Sequence, residues 1–84
     1  MEEKRFDRPV KILTGRFITV SRQVETAVEA IEYLLDKWPE QAGEKHHAAL
    51  AACLALLEEE GDARAARLAF EEAADEARIL VKQP

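Results

Sequence analysis

Residues 46–57 read His-His-Ala-Ala-Leu-Ala-Ala-Cys-Leu-Ala-Leu-Leu, twelve positions without a formal charge at neutral pH. The chain around them is 35% charged. The run falls well short of the roughly 20 apolar residues that a helix needs to cross a bilayer. Wound as a helix, it is apolar or small on nearly every side, so several neighbours have to contact it. A chain of 84 residues has few elements with which to surround a helix. The run therefore predicts a helix that its own domain covers incompletely, and it points to self-association rather than to chemistry.

The length fits a single domain over 1–84, which buries about 60–65% of its unfolded surface and keeps only a marginal stability reserve. A hydrophobic content of 48% supplies a core and argues against disorder. Residues 1–8 read as a flexible N-terminal segment, and 9–20 as a β-hairpin. Val10 and Ile12 alternate with Lys11, and Ile18 and Val20 alternate with Thr19. A three-residue loop, Thr14-Gly15-Arg16, pairs Ile12 with Ile18, Val10 with Val20 and Lys11 with Thr19. A one-residue slip would invert every side chain. Leu13 and Phe17 then lie on the outer face near the turn.

Three helices follow. The first is expected over 22–38, with Ser21 as N-cap and Val24, Ala27, Val28, Ile31, Leu34, Leu35 and Trp38 on one face. Pro39 stops it, and Trp38 plugs the end of the core. The second is expected over 44–60, with Leu50, Cys53, Leu54 and Leu57 as its inner stripe and Leu56 on the far side. Gly61 supplies a left-handed residue after it, and Asp62 caps the third helix, over 62–81. There Ala66, Phe70, Ala73, Ala77 and Leu80 face inward, and Leu68 and Ile79 face outward. The order β-β-α-α-α predicts an α+β fold with the hairpin packed on the helices. A lone hairpin is marginal and needs such cover, and its free edge invites a second copy.

Charge is spread unevenly over a net of −5. Residues 1–22 hold Lys4, Arg5, Arg8, Lys11, Arg16 and Arg22 against Glu2, Glu3 and Asp7, whereas the remainder is strongly acidic. The basic stretch admits a nucleic-acid reading in which Lys11 and Arg16 touch phosphate. The acidic remainder repels a phosphate backbone and disfavours it. Met1-Glu2-Glu3-Lys4-Arg5 precedes no apolar stretch of the kind that marks a secretory leader. A lone Cys53 inside an apolar run suits a reducing compartment, so the expected location is the cytoplasm, with no membrane partner.

Candidate chemistry is thin. His46 and Cys53 sit two turns apart on one helical face, about 10 Å, too far to share a metal without ligands between them. No Cys-x-x-Cys or His-Glu-x-x-His occurs. Cys53 among leucines reads as an inert small hydrophobe. Arg64 and Arg67 oppose the dipole at the start of helix 3, as Glu58, Glu59 and Glu60 do at the end of helix 2. Both placements make sense if the two groups pair across the Gly61-Asp62 turn. Ser21 is the only serine and is used as a cap, and Gly15 is a turn glycine rather than a phosphate loop. No catalytic residue, cofactor or metal set is expected, and the chain does not read as an enzyme.

Several residues together resemble a known family. They are Pro9-Val10, Glu29-Ala30, Trp38-Pro39, Cys53 in its alanine run, and the block Ala66-Arg67-x-x-Phe70-x-x-Ala73-Ala74-x-Glu76-Ala77. From about residue 8 to 81 the chain is similar to the domain of unknown function 982 family of small rhizobial and related α-proteobacterial proteins. The resemblance implies a bacterial cytoplasmic protein and brings no activity, cofactor or catalytic residue. One departure is that Glu58-Glu59-Glu60 precede Gly61, where a glycine sooner after the apolar run is expected. The expected function is a non-enzymatic, homodimeric protein-interaction module, with an unidentified protein partner as a further option. Its contacts are expected at Leu13, Phe17, Leu56, Leu68 and Ile79, apolar positions that the domain's own core does not explain.

Overall fold

Strand structure extends past both ends of the expected hairpin, with Phe6 buried on one side of it and Val24 and Thr26 on the other. A computed structural model describes residues 4–15, 17, 19–38 and 43–81. Strand β1 spans Arg5–Thr14 and β2 spans Val20–Thr26. They are followed by helices α1 (Ala27–Asp36), α2 (Glu44–Leu57) and α3 (Ala63–Glu76). The order is the expected β-β-α-α-α of an α+β fold. Arg5 to Arg8 are strand rather than a flexible lead, because Phe6 is buried against Phe70, with ring centroids 5.9 Å apart.

The strands pair antiparallel with Val10 opposite Val24, Lys11 opposite Gln23, Ile12 opposite Arg22 and Thr14 opposite Val20. The expected partners Val20 for Val10, Thr19 for Lys11 and Ile18 for Ile12 are four residues out. The connection is correspondingly longer, from Gly15 to Thr19. Gly15 has φ 93°, and a Cβ there would stand 3.3 Å from Val20 Cγ2, so the turn needs a glycine. The register is irregular between Arg5 and Val10. Pro9, which has no N–H to give a ladder, falls in that irregular stretch.

Helix α1 begins five residues later than expected. Thr26, not Ser21, is the N-cap: its hydroxyl accepts from Glu29 N–H, and Glu29 reaches back to the Thr26 N–H. This reciprocal pair satisfies two donors at once. Val24 is therefore a fully buried strand residue rather than part of the helix.

Helix α2 ends at Leu57. Glu60 N–H donates to Ala55 C=O at 2.8 Å and Glu59 N–H to Leu56 C=O at 3.1 Å, with Glu59 at φ 64°. This is the Schellman arrangement, and Glu59 rather than Gly61 takes the left-handed position. Gly61 serves close approach instead, since a Cβ there would stand 2.9 Å from Leu56 N. Asp62 then caps α3 as expected, accepting from Ala65 N–H at 3.2 Å.

The same closure ends α3 early. Arg78 sits at φ 64°, its N–H bonds Asp75 C=O, and Ile79 N–H bonds Ala74 C=O. The chain turns back along β1: Leu13 N–H donates to Ile79 C=O at 2.8 Å and Val81 N–H to Lys11 C=O at 2.9 Å. Leu80 thus lies opposite Ile12. One edge of the hairpin is covered by the chain's own C-terminal segment. The outer edge of β2 has no backbone partner among the described residues.

Helix α3 packs on β1 and α2, and α1 packs on β2 and α2. The core between them holds Val10, Ile12, Val24, Ala27, Leu34, Ala49, Cys53, Phe70, Ala73 and Ile79, among others. Trp38 plugs its end as expected, half-buried between His46 and Phe70, at 5.7 and 5.8 Å.

Candidate functional site

Helix α2 is apolar on most sides, so its neighbours decide which residues are covered. His46, Ala49, Cys53 and Leu56 face inward. Leu54 and Leu57, expected inside, are 42% and 40% exposed. Leu56, expected on the far side and as an interface residue, is buried. The inner stripe is rotated because two walls, α1 and α3, cover α2 from different directions. On the solvent side, after the exposed Glu44 and Lys45 of the first turn, this leaves His47, Ala48, Ala51, Leu54 and Leu57, all exposed and none formally charged, followed by the exposed Glu58. On the neighbouring α1, Val28 and Leu35 are exposed as well, at 50% and 63%.

The other expected contact residues do not converge. Ile79 is buried, because the turn at Arg78 takes it off the outer face of a continuing helix and into the core. Leu13 is half-buried against the core, and its N–H is bonded by the C-terminal segment. Phe17 is 79% exposed in the hairpin loop, where Arg16 and Ile18 lie outside the described residues. Leu68 is exposed on α3, with Arg64, Glu71 and Glu72 one turn away on either side. A single apolar residue ringed by charge is ordinary surface. Of the two residues expected for phosphate contact, Lys11 is half-buried and Arg16 is outside the described residues.

Two buried polar groups organise the interior. His46 is 6% exposed, and its Nε2 stands 2.6 Å from Leu34 C=O. A carbonyl only accepts, so Nε2 carries the proton; Nδ1 is buried and has no hydrogen-bond partner among the described residues. The ring thus ties the start of α2 to the end of α1. Arg67, also buried, gives Nε to Asp7 Oδ1 at 2.6 Å, Nη2 to Asp7 Oδ2 at 3.4 Å and Nη1 to Glu71 at 2.9 Å. The expected pairing of Arg67 with Glu58–Glu60 is replaced by this clamp onto β1, and Lys4 meets Glu59 at 2.9 Å. The Arg67 hydrogen bond holds the Asp7 carboxyl below its ordinary range.

Burial pushes the Cys53 thiol up to about 12, far from the thiolate that nucleophilic chemistry needs. Among the described residues, no three His, Cys, Asp or Glu side chains are grouped to hold a metal ion. No described helix is long and apolar enough to cross a membrane. The outer side of α2 departs from the charged face that a water-facing helix ordinarily carries.

No curated protein and no solved structure matches the chain. A family model does, the one described as Protein of unknown function (DUF982), over residues 8–81. That span runs from the start of the regular hairpin, through Arg67 and its block, to the segment that returns along β1. The chain is a member of the DUF982 family.

Proposed function

We propose that the protein is a non-enzymatic interaction module that works as a homodimer in the cytoplasm. The observation that carries this reading is the solvent side of α2, which runs from His47 to Leu57 without a formal charge. Water-facing helix surfaces ordinarily carry charge opposite the apolar stripe. Contiguous exposed apolar surface marks contact sites. The open edge of β2 leaves a further row of backbone groups without a strand partner among the described residues.

Native mass spectrometry with sedimentation across roughly 10–500 µM tests it, a range suited to a small, weak interface. The expected result is a concentration-dependent species of twice the 9.5 kDa chain mass. A monomer throughout that range would exclude the homodimer.

A further inference from the structure

His47, Ala51, Leu54 and Glu58 follow one another at intervals of four, three and four residues on α2 and its cap. At 3.6 residues per turn, that spacing stacks them in one row over about three turns. All four are exposed. The row is ordered so that a donor stands at one end, a carboxylate at the other, and a small and a large apolar residue between.

We infer that this row is the dimer interface, formed by two α2 helices packed antiparallel across a two-fold axis. The inference rests on the homodimer reading above and names the surface and register. Antiparallel pairing sets His47 of one copy opposite Glu58 of the other, and Ala51 opposite Leu54, twice by symmetry. A two-fold contact requires such self-complementarity, with residue i meeting j and j meeting i. The imidazole has an N–H to give to a carboxylate in either protonation state. The Ala51 methyl leaves room for Leu54 of the other chain, so the axes can approach to the usual 8–10 Å or so.

The alternatives among the exposed apolar residues lack this complementarity. Leu68 has charged residues a turn away on both sides. Phe17 is exposed in the hairpin loop rather than on the regular face of a helix or strand. The β2 edge would bring two Arg22 side chains within diagonal reach of each other when centred on Gln23, where like charges repel. Val28 and Leu35 are exposed on α1, a helix that packs on both α2 and β2, and neither is part of a row with a donor at one end and a carboxylate at the other.

The test is sedimentation equilibrium on the full chain and four variants, with circular dichroism confirming that each folds. Leu54→Glu should leave only monomer. His47→Glu places a carboxylate opposite Glu58 and should weaken the dimer about tenfold or more. Glu58→Lys should weaken it by less, and His47→Glu with Glu58→Lys together should restore it toward the native constant. A native dimer indifferent to Leu54→Glu would overturn this interface while leaving the homodimer intact. A dimer broken by Leu54→Glu but not restored by the double exchange would overturn the register. A native monomer would remove the homodimer reading itself.

Discussion

Arg67 is a buried cation where α3 meets β1. Its side chain is only 4% exposed, and its fork is filled by Asp7 from β1 and Glu71 from one turn along α3. A buried guanidinium left without its partner is costly, so Asp7 contributes mainly by keeping that charge matched. The Arg67 hydrogen bond lowers the Asp7 carboxyl from an ordinary value of 3.8. A carboxyl lowered by folding stabilises the native state fully above its unfolded value, and that contribution is lost as pH falls through the lower folded value. Asp7→Asn should therefore be less stable than the native chain at pH 7. The gap should narrow only as pH falls below about 4. Urea unfolding of both proteins from pH 7 to pH 2 measures it. A gap that is already absent at pH 7 would mean that the clamp contributes nothing. The sequence displayed Arg67 and its unfavourable place near a helix start but not its partner, because Asp7 is 60 residues away in a segment that read as flexible.

At the scale of elements, number, type and order were legible from periodicity, and so were the starts of α2 and α3, whereas the hairpin register, the start of α1 and the ends of α2 and α3 were not. The hairpin explains why. The observed pairing differs from the expected one by four residues, an even number, so Val10 and Ile12 face inward in both. Alternation detects a slip of one residue and is blind to a slip of four. The start of α1 did carry a signal, the Thr26-x-x-Glu29 spacing of a capping box. It was masked because Val24 also fits the apolar face of a helix. The ends of α2 and α3 carried none: Glu59 and Arg78 take left-handed positions usually given to glycine. A missed end then misplaced Ile79, and a helix apolar on most sides left the rotation of α2 undetermined. The outer row of α2 was legible as a lack of charge, not as particular residues. Arg78 is exposed, so Arg78→Gly removes the left-handed penalty without a buried contact being lost. The exchange should stabilise the fold by about 1 kcal/mol, read as a higher urea midpoint at unchanged slope. A lower midpoint would mean that the Arg78 side chain supports this turn.

At the scale of the whole molecule, no layer is large enough to stand by itself. A two-stranded hairpin is marginal in water, and helices of 10 and 14 residues are marginal when isolated. What joins the layers is a small set of buried contacts: Phe6 on Phe70, Arg67 on Asp7, and Ile79 held where the chain returns along β1. Ile79 is 1% exposed and lies between two structural commitments, the end of α3 and the covered edge of β1. Replacing a buried isoleucine by alanine costs about 2–5 kcal/mol. A domain of this length has a reserve of roughly 4–13 kcal/mol, so Ile79→Ala should lower the melting temperature by about 10 °C or more. The sharper consequence concerns cooperativity. Trp38 is the only tryptophan and sits at the α1–α2 end of the core against His46 and Phe70, whereas Ile79 sits on the sheet. If the layers stabilise one another, removing Ile79 methyls has to move the Trp38 fluorescence transition and the far-ultraviolet circular dichroism transition together, by the same amount. A fluorescence transition that stays in place while the circular dichroism transition moves would divide the molecule into a helical unit and a separable sheet. The Arg67 clamp would then be a tether between two folding units rather than part of one core.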